Sequence, residues 1–158
     1  MSMLPFFEWC ETTLIGTAIR SSLWLFPTIE VFHLIALAWL GGAVLLVDLR
    51  LLGFGFRRQS VARIAADARR WVIGSLVVII GSGLLLFTSE ALKCYSNPAF
   101  WIKMTCLVLA VVFTFTVRDR VCRAATDMRP PRWGKLVACV SLALWCGVAL
   151  MGRGIGFY

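Results

Sequence analysis

The chain has 158 residues, the length of one domain, yet 60% of them are hydrophobic and only 15% are charged, against roughly 45–50% and about 25% in soluble domains. Too few polar residues are present to wet the surface of a compact fold of this size, so most of that surface must face lipid. This excludes a soluble enzyme, a secreted disulfide scaffold and a disordered chain; the net charge of +8 is distributed in a way that points to membrane topology, and no nucleic-acid partner is expected.

Met1 to Cys10 carries Glu8 and no Lys or Arg, so it lacks the basic region of a secretory signal. Phe7, Cys10, Leu14 and Ala18 then recur at helical spacing, with Glu8, Glu11 and Arg20 elsewhere. This pattern predicts an interfacial helix over about 4–20, lying on the outer membrane surface. Four apolar stretches follow, over about 27–47, 71–89, 99–117 and 136–152. A helix needs about 20 apolar residues to cross the hydrocarbon, and backbone groups in lipid must pair internally, so each stretch is expected to be a helix. Pro27 suits the first turn of the first span, and Asn97-Pro98 marks the entry to the third. Trp71, Trp101 and Trp133 fall at span ends and read as interface anchors. Glycines lie inside the spans at 41, 42, 74, 81, 83 and 147; they permit close helix packing or make room for a flat ligand. The fold class is therefore all-α, an integral membrane four-helix bundle in one domain over 1–158.

Twelve of the sixteen basic residues fall between spans one and two (Arg50, Arg57, Arg58, Arg63, Arg69, Arg70) or between spans three and four (Arg118, Arg120, Arg123, Arg129, Arg132, Lys135). Basic loops stay cytoplasmic. Both termini and the Glu90–Pro98 loop are thus expected on the outer side.

Ionisable groups within a span are costly and mark functional sites by default. Here they are Glu30, the chain's sole histidine His33, and Lys103. Glu30 and His33 are three apart and share a helix face. All three lie toward the outer ends of their spans, with Arg20, Glu90 and Arg153 near the same boundary. A neutral imidazole is a common axial ligand of haem iron, and a bundle core is a natural haem slot. The expected site is His33 as metal ligand, with Lys103, Glu30 and Arg153 around the cofactor, haem b. The cations would face propionates or the oxygen of a quinone. A structural ion pair of Glu30 with Lys103, a hydrogen-bonded structural His33, a copper site and proton transfer are the competing readings. One histidine excludes a bis-histidine or two-haem site within the chain, so iron would be five-coordinate or would take Lys103, Met104 or a ligand from a partner chain. The six cysteines form no CxxC or Cys/His cluster, so no zinc signature is present. Cys106, Cys139 and Cys146 read as inert core thiols, whereas Cys10 and Cys94 both fall on the outer side, where pairing is chemically allowed.

The runs Pro27-Thr-Ile-Glu-Val-Phe-His33, Gly41-Gly42, Val47-Asp-Leu-Arg50-Leu-Leu-Gly53 and Asn97-Pro-Ala-Phe-Trp-Ile-Lys103-Met resemble an uncharacterised bacterial group of small integral membrane proteins. More distantly the layout is similar to HemJ-type protoporphyrinogen oxidases and to the membrane part of CopD copper-resistance proteins, with His33, Arg50 and Lys103 at comparable positions. The resemblance implies haem b ligated by His33 and a multi-pass place in a bacterial inner membrane. The functions it leaves open are electron transfer between an outer-side partner and the quinone pool, HemJ-like porphyrinogen oxidation, and CopD-like copper handling. A non-catalytic accessory subunit of a larger membrane or periplasmic redox complex, or a homo-oligomer, is the remaining expectation.

Overall fold

The computed structural model describes residues 3–54, 59–125 and 133–157, which form helices and the turns between them. Two short helices, α1 (Leu4–Thr12) and α2 (Leu14–Ser21), precede the first long helix, α3 (Leu25–Leu52). α4 (Val61–Ser89) and the short α5 (Ala91–Ser96) follow. α6 (Pro98–Phe113) runs through a π-helical turn, Thr114–Arg118, into α7 (Asp119–Ala124), and α8 (Gly134–Gly154) ends in a 3₁₀ turn. Among the described residues four helices are long and apolar enough to cross a membrane: Leu25–Leu52, Val61–Ser89, Pro98–Ala124 and Gly134–Gly154. The protein is a multi-pass membrane bundle.

The expected interfacial helix is instead two helices. Thr13 is extended (φ −61°, ψ 149°), and its hydroxyl accepts from Gly16 N, restarting the chain as α2. The break rotates the apolar face. Phe7 and Cys10 are buried as expected, but Leu14 is 86% exposed and Gly16 and Ile19 take the inner positions. The Glu90–Pro98 segment, read as a loop, contains α5.

The long helices outrun their apolar stretches. α4 begins ten residues before Trp71, because Ser60 caps it through Arg63 N and arginine is a good helix former. Val61, Ile64, Ala68 and Val72 point inward while Arg63, Arg69 and Arg70 are exposed. Arg50, Arg118, Arg120, Arg123 and Lys135 are likewise helical rather than loop residues; Arg57, Arg58, Arg129 and Arg132 lie outside the described residues. α3 closes on Gly53, whose φ of +95° suits the left-handed cap. Asn97 caps α6 by accepting from Ala99 N at 2.9 Å, with Pro98 in the first turn.

α3 packs along α4, α6 along α8, and α8 also against α3. α4 meets the third span chiefly through α7. A central core joins Leu40, Val44, Val72, Leu76, Ala110 and Trp145. A second core at the basic end joins Val47, Leu51, Val61, Ala68, Cys122 and Ala138. At the opposite end Phe7, Phe87, Tyr95 and Phe100 form an aromatic cap, with Phe87 and Phe100 stacked at 5.7 Å.

The π turn follows from the spacing of buried residues on the third span. Ala110, Thr114, Arg118 and Cys122 are all buried at intervals of four. An α-helix drifts by about 40° at each such step. The wider π turn absorbs that drift and keeps the row facing inward.

Candidate functional site

His33 sits nine residues into α3, half-buried, at the end of the bundle opposite the arginines. Its Nδ1 lies 2.8 Å from Ser82 Oγ on α4. Ser82 Oγ in turn donates to Val78 O at 2.6 Å, with Ile79 O at 3.4 Å. A hydroxyl has one proton. With that proton on the Val78 carbonyl, Ser82 Oγ is left to accept from His33 Nδ1–H; in a neutral ring held this way the lone pair is on Nε2. The next residue, Gly83, makes room for the ring, since a Cβ there would stand 3.3 Å from His33 Cε1.

Lys103 lies one turn into α6 and is half-buried. It packs on α8 at Gly152, where a Cβ would stand 3.6 Å from Nζ. Its charge reaches both His33 and Cys94. Gly147 of α8 faces Cys106 in the same way, at 3.2 Å from Sγ. Three glycines thus accommodate a histidine, a lysine and a cysteine. Gly41, Gly42, Gly74 and Gly81 instead face open space, so tight packing does not explain them. Outside the spans, the buried Cys94 thiol is pushed up to about 11, first by burial and then by Glu90. Cys10 and Cys94 are both buried and free.

A second polar cluster occupies the basic end. Asp48 is fully buried on α3, with Oδ1 3.3 Å from Arg118 Nε, itself buried at the end of the π turn. Ser141 of α8 lies beside the carboxylate. Trp145 Nε1 donates to Thr114 Oγ1 at 3.2 Å, one turn before Arg118. Arg50 is also buried, and its Nε donates to Gln59 O at 3.1 Å, tying the end of α3 to the approach to α4.

A model of the Family of unknown function (DUF6644) matches residues 6–158. The chain belongs to the DUF6644 family. No curated protein and no solved structure matches it, HemJ-type and CopD proteins included.

In this DUF6644 protein the expected site assembles in part. His33 and Lys103 come to the same end and the same interior. Glu30, expected to orient His33, is exposed and bonds to no described residue; Ser82 orients the ring instead. The reason is angular: three residues leave Glu30 about 60° from His33 around the helix, enough to turn it outward. Arg153 is exposed near the end of α8. Arg20 and Glu90, placed at the same boundary, are engaged with Glu11 at 2.5 Å and with Lys93 at 3.5 Å. Among the described residues no three His, Cys, Asp or Glu side chains converge.

The Ser82 contact and the Asp48–Arg118 pair were not foreseen. Ser82-Gly83 reads in sequence as small-residue packing, and Arg118 reads as a topology signal. The trace that could have found Arg118 is its place in the four-residue row 110, 114, 118, 122. Asp48 similarly continues the buried row Leu40, Val44.

Proposed function

We propose that this protein binds haem b in a bacterial inner membrane and passes electrons between a partner at the end opposite the arginines and the quinone pool. One observation carries the reading: Ser82 Oγ lies 2.8 Å from His33 Nδ1, so a neutral His33 donating from Nδ1 would present the Nε2 lone pair. That is the state in which histidine ligates iron, with the second nitrogen fixed by a hydrogen bond. The His33–Lys103 level lies between the α4–α7 contact at one end and the Phe87–Phe100 stack at the other. His33 would hold the iron. Lys103 would serve as a second ligand as a neutral amine or pair with a propionate as a cation, and Arg153 would pair with the other propionate. Bound haem supplies one-electron redox chemistry. The chain's own residues fix the ring tautomer, set the charge beside it and exclude water. The clustering of basic residues at one end supports that end as cytoplasmic, with both termini outside.

The test is a reduced-minus-oxidised absorption spectrum of detergent-purified protein from haem-replete cells. A b-type signal lost in His33→Ala supports the proposal; a colourless wild type contradicts it. Porphyrinogen turnover by a coloured protein would move the assignment to a HemJ-like oxidase.

A second reading has its own support. In the apolar windows of Leu25–Leu52 and Pro98–Ala124 only 17% and 11% of residues are buried inside the chain. Faces this open suit a subunit that packs against other helices in a larger complex or homo-oligomer as well as against lipid. Cross-linking in native membranes, read by mass, separates the two: discrete adducts place the chain in an assembly, and monomer alone leaves lipid as its only neighbour.

A further inference from the structure

The Asp48–Arg118 pair has more polar atoms than partners. Both carboxylate oxygens of Asp48, Nη1 of Arg118 and Oγ of Ser141 are buried and make no hydrogen bond of good geometry to any described residue, although Asp48 is ion-paired with Arg118 and has the Ser141 hydroxyl within weak hydrogen-bonding reach. Buried polar atoms are nearly always satisfied, by protein or by ordered water. Donor and acceptor types here complement each other around water: Arg118 Nη1 donates, the carboxylate accepts, and the serine does either. A crevice of about 30 Å³ between α4 and the third span reaches Arg118 and Cys122, behind which Asp48 and Ser141 lie. Thr114, Arg118 and Cys122 form its buried wall, and Arg69 and Asp119 line it toward the surface. Its volume is about one water's share of the liquid. The π turn borders the same crevice, and π turns inside α-helices recur at functional sites.

We propose that Asp48 is a proton-exchange site, hydrated through this crevice and open to the basic side of the membrane. A water bridging Arg118 Nη1 and Asp48, fed from the crevice past Arg118, donates a proton to a carboxylate oxygen of Asp48. The O–H bond of the water breaks, a new one forms on the carboxylate, and the water regains a proton from bulk solvent at the mouth. Arg118 stays cationic, so the ion pair becomes a neutral acid beside a cation; no electron moves. The groups facing Asp48 are Arg118 from the third span, Cys122 from α7 and Ser141 from α8, with Arg69 of α4 and Asp119 further out along the crevice. Arg50, on the same helix, is turned to the Gln59 carbonyl. This site stands apart from the His33 end and does not depend on haem being bound there.

The experiment is pH-difference infrared spectroscopy of the full chain in lipid nanodiscs, with carboxyl-¹³C aspartate. The chain has four aspartates, Asp48, Asp67, Asp119 and Asp127, so assignment needs variants. The expected result is a carboxylic C=O band that grows on acidification, shifts with the label, and is absent in Asp48→Asn. Should Asp48→Asn fail to fold, Asp48→Glu keeps the acid, and the band must then lose its aspartate label shift. Filling the crevice with Ala65→Phe is expected to slow deuterium exchange of that band at least tenfold. A chain that stays folded by circular dichroism yet shows no Asp48-dependent band overturns the proposal and leaves a fixed structural ion pair. Unchanged exchange in Ala65→Phe overturns the crevice as the route.

Discussion

At the basic end, Asp48 and Arg118 are buried beside Val47, Leu51, Cys122 and Ala138, with one narrow crevice reaching Arg118, and the third span is rewound into a π turn to hold them there. At the opposite end, His33 and Lys103 are only half-buried, with Gly83 and Gly152 against their side chains and an aromatic cap at that end of the bundle. Both ends therefore contain ionisable groups inside apolar helices, but they compensate them differently. The first neutralises its charges mutually. The second anchors the imidazole from α4, through Ser82 and the Ile79 backbone. A buried ion pair stabilises its own charges; an anchored neutral ring would leave a lone pair for a ligand.

The contrast is broken most severely at Asp48. Asp48→Ala leaves the Arg118 charge buried alone and is expected to destabilise the fold by about 3–5 kcal/mol, read as a shift in denaturant-induced unfolding. The double variant Asp48→Leu with Arg118→Met removes both charges and is expected to restore most of that loss, since apolar replacement of a buried pair is often neutral or stabilising. Gly16→Ala tests the cap at the other end. Its Cβ would collide with the Thr88 carbonyl, and overpacking of this kind costs about 1–3 kcal/mol; release of α2 should appear as protease cleavage between α2 and α3. Ser82→Ala is expected to cost only about 0.6 kcal/mol, the usual worth of a hydrogen bond between membrane helices, while weakening any signal that depends on His33. A Ser82→Ala as destabilising as Asp48→Ala would remove the contrast. The smallest effect is chemical. With its thiol near 11, Cys94 carries only about one part in ten thousand thiolate at pH 7. The sign is that of an acid whose charged form is disfavoured, so it should resist alkylation at neutral pH and react as pH rises toward 11, as mass spectrometry can follow.

The spans were legible because lipid demands long uninterrupted apolar runs, and 71–89 could hardly be read otherwise. Their ends were not. A run of arginines stops the apolar signal without stopping a helix, so α4 extends back to Val61 and Arg118 stays inside the bundle. His33 and Lys103 were legible as misplaced charge, and helix ends placed them at one level. Which way each pointed was not, since the rotation of α3 that keeps His33 inside turns Glu30 out. Ser82 escaped notice because a serine in an apolar run looks like any small residue until its partner across the interface is seen. Thr13 hid a helix break because a threonine is unremarkable mid-helix until its hydroxyl accepts the Gly16 amide in the next helix's first turn.

The most direct measurement uses the fact that His33 is the only histidine. Solid-state NMR of the ¹⁵N-histidine-labelled protein in lipid reports a single imidazole with no assignment problem. The expected spectrum has Nδ1 protonated and coupled to the α4 side, Nε2 unprotonated at neutral pH, and loss of that order in Ser82→Ala. A protonated Nε2, as the other tautomer or as imidazolium, would contradict the ligand site at His33.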